Sequence, residues 1–204
     1  MKMIAFDLDG TLIDSLSTIC ECLNQALHKF NLPQKSIQEL RLLVGFGAEY
    51  LVKHASNFAS NWAEILLAYQ EILSPITASN PLFFPGIEDL LQKLSKTCKL
   101  SIVSNKPMAA LGSFKQMGYF DQVVGVSEEF KPKPDTMMID FLKKHHQEII
   151  LVGDTEIDFQ TAQNAGIEVV ICTFGFRTAE ELEKNGVKRE QMVHSVGELE
   201  QRLL

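Results

Sequence analysis

The sequence predicts an α/β protein, a parallel-sheet core interrupted early by an all-helical segment. Three observations carry this. Short apolar runs at Met3–Phe6, Leu100–Val103, Val123–Val126, Ile149–Val152 and Val169–Cys172 read as buried strands. From Ile87 onward a helical pattern stands between each run and the next, the alternation that yields parallel strands joined by right-handed crossovers. Between about residues 15 and 80, by contrast, no strand candidate occurs.

Taken in order, the first run stops abruptly at Asp7, and Asp9-Gly10-Thr11 follows as a tight exit. Ser15 is placed to cap the next helix, in which Ile19, Leu23, Ala26, Leu27 and Phe30 recur at helical spacing until Pro33. A shorter helix is expected over Ile37 to Val44, broken by Gly45-Phe46-Gly47. Tyr50, Leu51, His54, Ala55 and Phe58 suggest a third helix; Trp62, Ile65, Leu66, Tyr69, Ile72 and Leu73 suggest a fourth. Phe58, Trp62 and Tyr69 are expected to fill this segment's own core. Pro75, Pro81 and Pro85 mark the return to the other pattern. Helices are then expected at Ile87–Leu94, Pro107–Met117, Asp135–Lys144, Asp158–Asn164, Ala179–Asn185 and Val196–Leu203.

The chain has 204 residues, 46% hydrophobic and 22% charged, which suits one large domain or one domain with an insert. A net charge of -7 without any basic run argues against nucleic acid as a partner. No stretch approaches the roughly 18 apolar residues of a membrane span, and Met1-Lys2-Met3 leads into a strand rather than a signal peptide. The four cysteines (Cys20, Cys22, Cys98, Cys172) form no zinc pattern, Cys20 and Cys22 are expected to be packing residues, and the chain reads as a reduced, cytoplasmic protein.

The polar groups that end the strands converge. Asp7, Ser104-Asn105-Lys106, the Lys131-Pro132-Lys133-Pro134 run and Gly153-Asp154 all fall on the carboxyl edge of the predicted sheet, where open α/β sheets bind ligands. Carboxylates from two strands, Asp7 and Asp154, suit a hard cation such as Mg²⁺. A lysine and a hydroxyl suit a phosphoryl group whose charge must be neutralised. Asp7 could attack phosphorus, and Asp9 could move the protons.

Asp7-x-Asp9-Gly-Thr11, Ser104, Lys131-Pro-Lys-Pro134 and Gly153-Asp154-x-x-x-Asp158 resemble the four ordered motifs of the haloacid dehalogenase superfamily, over nearly the whole chain. Phe84-Pro85-Gly86-Ile87, Ser104-Asn105-Lys106-Pro107, Gly118-Tyr119-Phe120-Asp121 and Ala165-Gly166-Ile167 are most similar to its phosphoglycolate phosphatase branch. The resemblance implies a Rossmann-like core at 1–14 and 81–204, with a small helical cap domain at 15–80. It implies Asp7 as nucleophile and Asp9 as general acid and base. It assigns Mg²⁺ to Asp7, the backbone carbonyl of Asp9, and Asp154, with Asp158 in support, although Asp158 also fits a plain helix cap. Phosphate-binding groups would be Thr11, Ser104, Asn105 and Lys131, with Lys131 preferred to Lys133 because the family's lysine precedes the first proline. Lys106 suits a surface position as well as a site role.

Gly45-Phe46-Gly47 resembles the family's substrate-facing loop, so Gly45, Phe46 and a nearby cation, Lys53, are the specificity candidates. His54 and Arg41 are further possibilities. The implied activity is hydrolysis of a small phosphate monoester, 2-phosphoglycolate first. A phosphomutase of the β-phosphoglucomutase type and a pyrophosphatase are the alternatives.

Overall fold

In a computed structural model the chain is described over residues 2–79 and 82–204. The segment boundary expected at residues 80 and 81, including Pro81, lies outside these residues.

Six parallel strands form one sheet: β1 (Met3–Phe6), β2 (Lys99–Pro107), β3 (Gln122–Val126), β4 (Ile149–Gly153), β5 (Glu168–Cys172) and β6 (Met192–Val193), in the order β3-β2-β1-β4-β5-β6. Five match the predicted runs. The sixth, two residues long, carries too little pattern to be read from sequence.

Side chains alternate across the sheet, as a strand's period of two requires. Ile4 and Phe6 face one core, with Ile102, Val152 and Val170; Met3 and Ala5 face the other, with Val103, Leu151 and Ile171. Burying each of these apolar side chains, the small Ala5 excepted, contributes roughly 1.5–3 kcal/mol.

Four helices follow β1: α1 (Leu16–Lys29), α2 (Ile37–Arg41), α3 (Ala48–Ala55) and α4 (Trp62–Ser79). They enclose a third apolar cluster around Leu23, Leu27, Leu40, Val52 and Ile65. Phe176, from the loop after β5, is the core's contribution to that cluster. Helix α4 runs through Pro75, where the sequence suggested an end.

The remaining helices flank the sheet. On the Ile4 side lie α5 (Ile87–Leu94), α6 (Gly112–Gln116) and, last in the chain, α10 (Val196–Leu203). On the other lie α7 (Met137–Lys143), α8 (Glu156–Ala165) and α9 (Ala179–Lys184). The helix expected from Pro107 begins instead as a 3-10 turn, Met108–Leu111.

Candidate active site

The chain leaves β1 toward β2 and leaves β4 toward β5, so β1 and β4 are neighbours whose connections diverge. Such a switch point opens a crevice at the strands' carboxyl ends. Asp7 stands there one residue past β1, its N–H donating to Val152 O at 2.8 Å, and Asp154 one residue past β4.

Asp154 is fully buried and held on both oxygens: Thr11 Oγ1 donates to Oδ1 at 3.1 Å and the Phe176 N–H to Oδ2 at 2.7 Å. Asp158 lies in the first turn of α8. Its Oδ2 accepts from the Thr155 N–H at 3.1 Å and Thr155 Oγ1 at 2.8 Å, closing a capping box, while Oδ1 accepts from Lys133 Nζ at 2.6 Å. Asp158 therefore caps α8 and at the same time reaches Lys133 in the crevice.

Two glycines make room. A Cβ on Gly153 would lie 2.2 Å from Asp158 Cγ. One on Gly10, whose φ is +89°, would lie 2.3 Å from Asp154 Oδ2.

Carboxylate oxygens of Asp7, Asp154 and Asp158 lie within 4.8 Å of one another, all buried. Burial pushes the Asp7 carboxyl up to about 7, against the pull of Lys133, with Asp158 adding to the rise. Burial, then the charges of Asp7 and Asp158, hold Asp154 well above the usual carboxylate range. Burial alone would lower Lys133; Asp158 and Asp7 more than offset it and keep the ammonium charged. One lysine among three buried carboxylates leaves negative charge uncompensated, and the donors are all hard oxygens. A divalent cation fits this set.

The structure corrects the choice of lysine. Lys131 is exposed, whereas Lys133 is buried with Nζ 2.8 Å from Asp7 and 2.6 Å from Asp158. The cause is Asn105, whose Oδ1 accepts from the Lys133 N–H at 2.6 Å and whose Nδ2 donates to Lys133 O at 3.1 Å. With its backbone pinned beside β2, Lys133 points into the crevice.

Asn105 and Thr11, expected on phosphate, are thus committed elsewhere by their side chains: Thr11 to Asp154, and Asn105 to Lys133 and to Gly45 O at 2.9 Å. Asn105 nevertheless lines the cavity above the crevice. Ser104 does reach the crevice, its Oγ accepting from the Lys106 N–H at 3.2 Å.

Asp9 stands apart from the carboxylate cluster, its side chain making no part of the candidate ligand set. Lys106 Nζ donates to its two oxygens at 3.1 and 3.0 Å, and Ser15 Oγ donates to Oδ1 at 2.7 Å. Ser15 makes no side-chain cap to α1, the role the sequence suggested for it. Lys106 is only 8% exposed, so its site role displaces the surface reading. Lysine beside a strand-end serine was the available signal.

Above Asp7 and Asp9 a cavity of about 270 Å³ separates the sheet edge from the helical insert. Of the specificity candidates, Gly45 lines it; Phe46 and Lys53 do not. Phe46 stacks on Tyr50 with ring centroids 4.5 Å apart, and Lys53 pairs with Glu49 and lies 4.0 Å over the Trp62 ring. Arg41 pairs with Glu181, and His54 stacks on Tyr50. Tyr69, expected in the insert's core, also faces the cavity, and Phe58 is 64% exposed.

A parallel sheet that gathers three aspartates and a lysine at one edge, roofed by helices, defines an α/β protein with an acidic centre of hard oxygen donors. Within that class, residues 4–172 match the haloacid dehalogenase-like hydrolases, and the chain belongs to this family. It is similar to a phosphoglycolate phosphatase of Rhodobacter capsulatus, 32% identical over 193 residues and 85% of each chain. A phosphoglycolate phosphatase of Photorhabdus laumondii is 31% identical over 200 residues, covering 89% of this chain and 84% of that one. Among solved structures, a haloacid dehalogenase-like family hydrolase from Streptococcus pneumoniae superposes with a TM-score of 0.87 at 25% identity, over 100% and 99% of the two chains.

Proposed function

We propose that the chain is a Mg²⁺-dependent phosphatase that hydrolyses a small phosphate monoester through an aspartyl-phosphate on Asp7. One observation carries this: a buried carboxylate, Asp7, meets Lys133 and two further carboxylates on one side, with Asp9 and its own lysine facing the same cavity.

Asp7, Asp154 and the backbone at Asp9 would hold Mg²⁺, with Asp158 in support. The ion supplies charge neutralisation and orientation of the phosphoryl group. Lys133 and Ser104 bind phosphoryl oxygens. An Asp7 oxygen forms a bond to phosphorus as the ester P–O bond breaks, and Asp9 is the group placed to pass a proton to the departing alkoxide. Asp9 then takes a proton from water; the hydroxide attacks phosphorus as the Asp7–phosphorus bond breaks, and Asp7 is released with inorganic phosphate. Lys106 and Ser15 orient Asp9 throughout.

Residues 15–80 act as a cap that excludes water during the first transfer. The relatives' name makes 2-phosphoglycolate the first ester to test. Four free cysteines, three of them buried, support a reducing cytoplasmic setting. No helix of the described residues is long and apolar enough to cross a membrane.

The test is phosphate release from a panel of esters in Mg²⁺ and in chelator, with the wild type and Asp7→Asn. Release that needs both the metal and Asp7 is expected. Equal release by the folded Asp7→Asn variant would sink the mechanism.

A further inference from the structure

The cavity wall is charged only at its floor. Its carboxylates are Asp7 and Asp9, and among the described residues its one cation is Lys106, already held by both oxygens of Asp9. The roof is aliphatic: Ile19 from α1, Val44, Leu51 from α3 and Leu73 from α4, faced by Ala109 and Ala110 from the core. Three neutral polar groups from α4, Tyr69, Gln70 and Ser74, interrupt it. Burial, and next the charge of Asp9, raise the Tyr69 hydroxyl well above its usual value, so it remains a neutral donor.

A substrate carboxylate pushed into this roof would lose its water without gaining a cation, and a buried unpaired charge is costly.

Resting on the phosphatase reading, and refining its substrate, we infer that this enzyme prefers phosphate monoesters of uncharged, largely aliphatic alcohols over carboxylate-bearing esters such as 2-phosphoglycolate. Gln70 is the position where charge selectivity is set.

Isobutyl phosphate separates charge from shape, because two methyls stand where phosphoglycolate has its carboxylate oxygens. With Mg²⁺ present, kcat/KM for isobutyl phosphate is expected to exceed that for 2-phosphoglycolate by about tenfold or more, since a carboxylate buried in this roof without a cation is costly. Hexyl phosphate, which offers the aliphatic roof more apolar surface, should do at least as well as isobutyl phosphate. Gln70→Lys, a near-isosteric change at a half-buried position, should shift the ratio toward phosphoglycolate by about tenfold through KM. A wild-type enzyme that uses phosphoglycolate as well as or better than isobutyl phosphate overturns the inference and leaves the phosphatase reading intact. Failure to hydrolyse any ester overturns both.

Discussion

Lys133 is the residue on which sequence pattern and physics part. Position relative to the first proline favoured Lys131, yet the two are two residues apart and only the backbone grip of Asn105 decides which one turns inward. No local periodicity encodes a hydrogen bond between residues 28 apart in sequence. Removing Lys133 leaves Asp7 and Asp158 buried without their cation, so Lys133→Met is expected to abolish turnover. It should also cost about 3–5 kcal/mol in denaturant unfolding without metal, the usual range for breaking a buried pair. Lys131→Met, an exposed change, should stay within about 0.5 kcal/mol and keep activity. Gly153→Ala should act through Asp158: its methyl would occupy the carboxylate's space, so metal affinity is expected to fall in a titration while the sheet persists.

Between elements, the seam of the insert and core rests on few groups. Arg177, 3% exposed, donates to the carbonyls of Arg41 at 2.7 Å and of Leu42 and Val44 at 3.1 Å, and pairs with Glu156 at 2.9 Å. Across the same seam Arg41 pairs with Glu181 at 2.6 Å and donates to Phe176 O. Arg177→Met strands Glu156 and three carbonyls, and is expected to destabilise the protein by about 3–5 kcal/mol. It should also expose the α1–α4 segment to proteases well before the core is cut. Equal protection of both segments would show that the seam does not hold the insert. Neither arginine was legible as a seam residue, because the loop after β5 and the start of the insert are more than 130 residues apart in sequence. The elements themselves were legible: Val196–Leu203 is reproduced residue for residue, and five strands fall within a few residues of their apolar runs.

At the scale of the molecule, a six-stranded parallel sheet buried on both faces explains why so much could be read. Such strands are continuous apolar runs, and the groups that end them are the site. The carboxylate cluster also ties global stability to pH and metal. The Asp7 carboxyl rises from 3.8 to about 7 on folding without metal, so the fold retains a proton that the unfolded chain releases. That contribution to stability is complete below about pH 4 and is lost as pH climbs through about 7. Mg²⁺ replaces the proton, so the stabilisation it gives should grow between pH 6 and pH 8. At a hundredfold excess over its dissociation constant it is worth about 2.7 kcal/mol, and each kcal/mol moves the melting temperature by about 2–4 °C in a chain of this size. Thermal scans with Mg²⁺ and with chelator at the two pH values check this; a shift that shrinks with rising pH contradicts it.

Asn105 makes the seam and the chemistry one object. A single side-chain amide grips the backbone of Lys133 with two bonds and the carbonyl of Gly45, in the insert, with a third. If the insert moves as the proposed cap, lifting it would cost the amide its bond to Gly45 while leaving both bonds to Lys133. On that reading one side chain would couple the position of the door to the lysine that stands beside the proposed nucleophile, and an open enzyme would hold that lysine less firmly.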